Sequence, residues 1–299
     1  MATEKFWKLG IIGWPLGYSL SPLMHTAALK AAGLQGEYKE YKVKPEELKS
    51  WLATEAPKLD GFNVTMPHKG EVFSWLKSRD GISEDLEYVG AVNTVGKDEH
   101  IGGLSGFNTD GDGFLGALIE AEHRLKDKGK ARTGPKQYLL LGAGGAARAI
   151  AFILADDGQL TIWNRHPERA QALADDFQEW VSSSLVKLTC EAVSFRELDQ
   201  ARIGNFDVII NATSAGMKGS EGLPLRYDQL HEGQIICDIV FEPRETQLIR
   251  EARKRGCVVV TGDEMLAAQG TVAFEIWTRV PAVKVLPAMK KALDDHFAA

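Results

Sequence analysis

Short apolar runs alternate with amphipathic stretches along the N-terminal third of the chain. Lys8–Gly13 is an apolar run that ends in glycine and proline, which predicts a brief strand. Ser21–Ala32 carries its apolar residues at helical spacing and closes at Gly33, predicting a helix. Glu37–Val43 alternates as a half-buried strand does. Pro45–Glu55 reads as an amphipathic helix opened by proline, and Phe62–Thr65 as a strand that stops at Pro67. This order predicts an open, partly parallel sheet flanked by helices. Asp110–Arg124 then follows as a helix, with Asp110 placed to cap its start.

A polar, Lys/Gly-rich stretch, Lys126–Lys136, separates that helix from a second alternating block. Its strand candidates are Gln137–Leu141, Gln159–Trp163, Leu185–Ala192, Val208–Asn211, Ile235–Val240 and Val258–Thr261. Helical segments fill most of the gaps, the pattern of a doubly wound, Rossmann-type parallel sheet. Glu264–Arg279 and Pro281–Ala298 are helical with no strand of their own, so they are expected to return to the first domain. The predicted class is α/β with two domains. One is an N-terminal open αβ sandwich, 1–109 completed by helices in 263–299, and the other is the doubly wound sheet, 110–262. A cleft between the two is the expected site.

Composition narrows the class. At 299 residues the chain has the length of two ordinary domains, and 44% hydrophobic with 25% charged residues suits a buried core. A net charge of −6 offers no basic excess for neutralising phosphates, so a nucleic-acid partner is not expected. The basic runs Arg124–Arg132 and Arg250–Arg255 read as solvated surface. Cys190, Cys237 and Cys257 are widely spaced and odd in number, pointing to free thiols in a reducing compartment rather than disulfides or zinc. Glycines and Pro15 interrupt the apolar stretch near the N-terminus, against a signal peptide. Arg148 and the glycine cluster interrupt Tyr138–Ala155, against a membrane span. The expectation is a cytoplasmic protein with no membrane partner.

The most specific local signal is Gly142-Ala143-Gly144-Gly145-Ala146-Ala147, set between a predicted strand and a predicted helix. Glycine lets the backbone approach a pyrophosphate, and the helix end behind it supplies N–H groups and positive dipole. An NAD-binding chain places Asp or Glu about 20 residues further on, at the end of the second strand. Here Asn164-Arg165-His166 stands there, with Arg169 one turn on. A carboxylate would repel a 2′-phosphate, whereas Arg165 pairs with one, so NADP is expected over NAD.

The N-terminal domain holds polar residues at the ends of its strands. Ser19 and Ser21 share one loop before a helix, where they serve either as caps or, with the helix-end N–H groups, as a carboxylate site. Asn63-Val64-Thr65-Met66-Pro67-His68-Lys69 ends a strand. Gly90-Ala91-Val92-Asn93-Thr94 and Gly106-Phe107-Asn108-Thr109-Asp110-Gly111 are similarly polar. Each has a plain alternative: Lys69 on the surface, Asn93 in a turn, Asp110 as a cap. Asn108, Asp110, Asp112 and Gly113 mimic the start of a calcium loop, but Ile119 stands where its glutamate is required, so no metal is expected.

Taken in chain order from about Gly10 to about Gln269, these segments resemble the shikimate dehydrogenase family. The resemblance also includes Asn211-Ala212-Thr213-Ser214-x-Gly216, Asp238-x-Val240-x-x-Pro243 and Gly262-x-x-Met265-Leu266-x-x-Gln269. It implies an NADP-dependent oxidoreductase of aromatic amino-acid biosynthesis that interconverts 3-dehydroshikimate and shikimate, acting as a monomer or homodimer. Ser19 and Ser21 would hold the substrate carboxylate, while Thr65, Asn93, Asp110 and Gln269 would contact ring hydroxyls. Lys69 and Asp110 would form the catalytic pair, the lysine passing a proton to or from the oxygen at the oxidised carbon. Thr213, Met217, Gly262 and Met265 would line the nicotinamide side of the cofactor pocket. Three positions depart from the family pattern. Phe241 replaces a usual tyrosine, a lost hydrogen bond worth roughly 0.5–1.5 kcal/mol. His166 replaces a common threonine, bringing pH dependence to the phosphate site. Thr26 replaces a common asparagine.

The rival readings are a quinate/shikimate dehydrogenase with relaxed use of NAD and NADP, and a catalytically silent dinucleotide-binding protein on the same fold. Methylene-tetrahydrofolate dehydrogenase would leave the paired serines without a purpose.

Overall fold

The structure is a computed structural model that describes residues 5–17, 19–130, 134–154, 157–182, 190–194 and 203–298, the backbone alone in 178–182 and 190–194. Two compact units emerge from the contacts, Met1–Gly113 with Ala267–Ala299, and Phe114–Leu266. Of the sequence expectations, residues 185–189 of one strand, Tyr18 of the serine loop, 131–133 of the basic stretch and the Cys190 side chain lie outside the described residues.

In the first unit, strands β1 (Trp7–Gly13), β2 (Gly36–Lys42), β3 (Gly61–Val64), β4 (Thr94–Asp98) and β5 (Gly103–Phe107) form a sheet in the order β2-β1-β3-β4-β5. The first three are parallel, while β4 and β5 run antiparallel. Helix α1 (Ser21–Ala32) ends where Gly33 turns left-handed at φ 70°, a conformation that glycine adopts without strain. The segment expected as one helix from Pro45 begins with a 3₁₀ turn, Pro45–Glu47, before α2 (Leu48–Thr54). Two short helices, α3 (Lys69–Lys77) and α4 (Glu84–Val89), complete this part.

Helix α5 (Thr109–Asp127) starts one residue earlier than expected. Asp110 is therefore not its cap: Asn108 accepts the Asp110 N–H at 3.1 Å through its side chain, leaving the Asp110 carboxylate for other work.

The C-terminal helices α9 (Gly262–Thr278) and α10 (Ala282–Ala298) bring the last residues to this unit, with α10 along α1. Trp277 locks α9 down: its indole donates to Val95 O at 2.9 Å, and its ring occupies the space that a Cβ on Gly61 would need.

The second unit is a six-stranded parallel sheet made of β6 (Lys136–Leu141), β7 (Gly158–Asn164), β8 (Cys190–Ser194), β9 (Val208–Asn211), β10 (Ile235–Asp238) and β11 (Val258–Val260). The order β11-β10-β9-β6-β7-β8 reverses direction between β6 and β9, as in dinucleotide-binding sheets. Consecutive residues of β6 serve opposite cores, Tyr138 and Leu140 on one face, Leu139 and Leu141 on the other. Burial on both faces explains its unbroken apolar run. Helices α6 (Gly145–Leu154), α7 (Pro167–Ser182) and α8 (Gln247–Lys254) accompany the sheet.

Candidate functional site

In the first unit the polar strand ends converge. His68 is buried and donates through Nε2 to Val43 O at 2.7 Å, which pins the turn before α3. Lys69, the first residue of α3, then places its Nζ 2.6 Å from Asp110 Oδ2, with side chains only 22% and 12% exposed. Asp110 is in the first turn of α5, where the helix dipole favours a carboxylate. Its other oxygen accepts Asn93 Nδ2 at 2.8 Å. Asn93 is itself oriented by Thr109: its Oδ1 accepts the Thr109 N–H at 2.8 Å, and its Nδ2 donates to Thr109 Oγ1 at 3.1 Å. The Thr109 hydroxyl lies 3.3 Å from Gln269 Oε1 and donates to it. Lys69, Asp110, Asn93 and Gln269 thus form one constellation, and the plain alternatives of surface lysine, turn asparagine and helix cap do not describe them.

Ser19 sits in the loop before α1, and Ser21 is the first residue of that helix. Ser19 Oγ accepts the Ser21 N–H at 3.2 Å, and the residue at the cap position is Leu20, with no side-chain cap. Ser21 is buried. Thr65 leaves β3 half-buried, its N–H donating to Ile12 O at 2.9 Å. No hydrogen bond joins Ser19 or Thr65 to the Lys69–Asp110 pair among the described residues.

In the second unit the glycine turn follows β6. Gly142 is left-handed at φ 115°, and a Cβ there would stand 2.8 Å from Ala212 O, so the turn and the loop after β9 require glycine. Gly144 differs: a Cβ on it would meet nothing within 4 Å. The protein has no packing need for glycine at that point, whereas a phosphate resting on the N-terminus of α6 would. Ala143, Gly144, Gly145 and Ala146 are partly or fully exposed around that helix end.

After β7, Asn164 Nδ2 donates to His166 O at 3.3 Å, folding the loop back on itself. Arg165 and Arg169 are exposed and make no ion pair among the described residues, and His166 Nδ1 is 3.5 Å from Glu168 Oε1. This donor set fits a 2′-phosphate.

A buried polar group braces the loop after β9. Asp238 accepts from Asn211 Nδ2 at 2.9 Å, Val240 N at 3.0 Å and Thr246 Oγ1 at 2.6 Å. Asn211 Oδ1 in turn accepts the Thr213 N–H and hydroxyl, at 3.0 and 2.7 Å. Burial raises the Asp238 carboxyl to about 6, against the pull of those hydrogen bonds. Of the remaining expected cofactor residues, Met217 is exposed, and Gly262 fits only because a Cβ would lie 2.4 Å from Val240 O. Met265 packs in the apolar core of this unit. Phe241 is half-buried and brings no polar atom.

Sequence reasoning passed over Tyr38 and, while noting the polar motifs that contain them, gave Asn63, Thr94 and Thr109 no role of their own, although these three are buried polar residues in or beside apolar segments. That contradiction of pattern was the signal available.

Comparison with known proteins decides the family. The family model described as shikimate dehydrogenase substrate binding domain matches residues 11–95, and that of shikimate / quinate 5-dehydrogenase matches 124–218. Over 299 residues the chain is 40% identical to the shikimate dehydrogenase (NADP(+)) of Methanocaldococcus jannaschii, with 99% of each covered. The chain belongs to the shikimate dehydrogenase family.

A crystal structure of a shikimate dehydrogenase in complex with NADP+ matches at TM-score 0.82 and 37% identity, covering 99% of this chain and 98% of that one. The two-sheet α/β architecture expected from the alternation is therefore that of the shikimate dehydrogenase family. A ligand-free 5-ketofructose reductase of Gluconobacter matches at TM-score 0.81 and 30% identity, covering 98% and 99%. The fold of the shikimate dehydrogenase family thus occurs with more than one named activity, and substrate choice must be argued from side chains.

Proposed function

We propose that this chain is an NADP-dependent oxidoreductase that interconverts 3-dehydroshikimate and shikimate. The observation that carries the reading is the 2.6 Å pairing of Lys69 Nζ with Asp110 Oδ2, in a unit that matches the shikimate dehydrogenase substrate binding domain over residues 11–95. Lys69 takes the proton from the carbinol oxygen in oxidation and returns it in reduction. Asp110, held by Asn93 and the start of α5, fixes the amine in place and accepts a ring hydroxyl with its remaining lone pairs. Gln269, Asn93 and Thr65 complete the contacts to ring hydroxyls. Ser19 and Ser21, at the start of α1, hold the carboxylate.

NADP supplies the hydride chemistry when bound. Gly142, Ala143, Gly144, Gly145 and Ala146 cradle its pyrophosphate, and Asn164, Arg165, His166 and Arg169 hold the 2′-phosphate. Thr213, Met217, Gly262 and Met265 shape the nicotinamide end, Met265 from within the core. The buried free Cys237 and Cys257 support a cytoplasmic enzyme, and the acidic charge balance supports a small-molecule substrate rather than a nucleic-acid partner; the enzyme acts as a monomer or homodimer without a membrane partner.

The test is absorbance at the NADPH band with purified protein and shikimate or quinate, each with NADP or NAD. Growth of signal with shikimate and NADP is expected, and silence with every pair overturns the reading. Lys69→Ala should lower kcat about 10²–10⁴-fold while shikimate affinity changes far less. Equal losses in both would reduce Lys69 to a binding residue. A second reading, oxidation of quinate, draws on Phe241, whose apolar ring removes a hydroxyl from the substrate side, and the quinate arm of the same assay decides it.

A further inference from the structure

A line of buried hydrogen bonds extends beyond the residues assigned to substrate or proton transfer. Tyr38, on β2, donates from its hydroxyl to Asn63 Oδ1 at 2.7 Å. The same amide donates from Nδ2 to Thr94 Oγ1 at 3.0 Å and to Asn93 O at 3.3 Å. Thr94 Oγ1 lies 3.2 Å from Thr109 Oγ1, which meets both Asn93 and Gln269. Asn63, Thr94 and Thr109 are all 5% exposed or less.

The setting of the Asn63 amide follows from donor and acceptor chemistry. Asn93 O is a carbonyl and only accepts, so the NH₂ end of Asn63 faces it and Thr94. With that NH₂ donating to Thr94 Oγ1, the Thr94 hydroxyl shares a hydrogen bond with the Thr109 hydroxyl at 3.2 Å, either oxygen able to donate. The Thr109 hydroxyl receives from Asn93 Nδ2 and lies 3.3 Å from both Gln269 Oε1 and Asn93 Oδ1 as acceptors for its proton. Asn93 takes its side-chain setting from the Thr109 N–H and the Asp110 carboxylate; Asn63 holds the Asn93 carbonyl and the Thr94 hydroxyl that neighbours Thr109, and Tyr38 fixes the oxygen end of the Asn63 amide. Tyr38 is fixed by packing, stacked on His25 with centroids 4.5 Å apart.

We infer that Asn63, clamped by Tyr38, is a positioning residue for the reaction: by holding the Asn93 carbonyl and the Thr94 hydroxyl, it braces a hydrogen-bonded line through Thr109 that keeps Asn93 and Gln269 in place around Asp110. Neither Asn63 nor Tyr38 needs to touch the reacting atoms. The inference rests on the shikimate reading above and adds to it a set of residues outside the contact shell.

The experiment compares Asn63→Ala, Thr94→Val and their combination, with Tyr38→Phe as the variant that keeps the aromatic stack and the fold. Steady-state kinetics with varied shikimate and varied NADP are read alongside thermal melting. Each single break should lower kcat/KM for shikimate about tenfold while the KM for NADP stays within about twofold. The double variant should be no worse than the poorer single one, because the line is already cut. Tyr38→Phe should give the same pattern at about threefold. Multiplying losses in the double variant, or equal rises in both KM values, would overturn the inference while leaving the shikimate reading intact. Unchanged shikimate kinetics in folded Tyr38→Phe and Thr94→Val would do the same. A wild-type chain that fails to turn over shikimate removes both.

Discussion

His25 should make the first unit acid-labile. The ring is fully buried between Tyr38 and Trp277, 4.5 and 5.2 Å away centroid to centroid. Burial, with neither ring nitrogen hydrogen-bonded, lowers its pKa from 6.5 to about 3. Above about pH 6.5 the imidazole is neutral in both folded and unfolded chains and contributes no pH dependence. As the pH falls below that, the unfolded chain binds a proton that the folded one refuses, and stability declines toward pH 3. At about pH 5 the unfolded state is favoured by RT ln[(1 + 10^1.5)/(1 + 10^−2)], about 2 kcal/mol. Asp238 acts in the opposite sense in the second unit, since its raised folded pKa of about 6 makes that unit gain stability as the pH falls through 6. The contrast is therefore between proteins as well as between pH values. His25→Leu and wild type are unfolded in urea at about pH 8 and pH 5, followed by tryptophan fluorescence, with separate transitions fitted if they resolve. The variant loses stacking at both pH values, so its absolute stability carries no information here. The quantity read is the pH 8-to-5 change, expected to be about 2 kcal/mol less unfavourable in the variant. Equal changes within about 0.5 kcal/mol would refute a neutral, proton-refusing His25.

Two further outcomes test the cofactor side. Arg165→Ala should raise the KM for NADP about tenfold to a hundredfold, the worth of a charge-assisted hydrogen bond or two, and leave the KM for NAD unchanged; equal effects on both would remove Arg165 from the 2′-phosphate. Gly144→Ala should leave the melting temperature nearly unchanged, because its Cβ meets no protein atom, yet raise the KM for NADP. Gly142→Ala should by contrast cost about 1–3 kcal/mol of stability through its φ of 115° and the 2.8 Å approach to Ala212 O. Matching stability losses at the two glycines would show that Gly144 is kept for packing.

The parts of this molecule that could be read from sequence are those whose physics is local. Strands β6, β7 and β9 are apolar because both faces are covered, and α1 announces both of its ends through Pro22 and Gly33. Strands β4 and β5 were invisible to the same reasoning because glycines replace the alternating apolar residues. At Gly106 a Cβ would collide with Leu76 and Val92, and at Gly96 it would crowd Trp277, so the side chains that fill those places come from elsewhere in the chain.

The candidate site divides the same way. Motifs flagged Lys69, Asp110, Asn93 and Gln269 as residues able to bind and to move protons, and Asp110 looked equally suited to capping until Asn108 took that task. What no local pattern carries is the pairing: Asn63 meets Thr94 across 31 positions of sequence and Thr109 meets Gln269 across 160. A buried polar residue must find partners or destabilise the fold, so Asn63, Thr94 and Thr109 are constrained by one another more than by their own segments. That mutual constraint ties the stability of the sheet to the alignment of the Lys69–Asp110 pair. Substitutions that weaken one are expected to weaken the other.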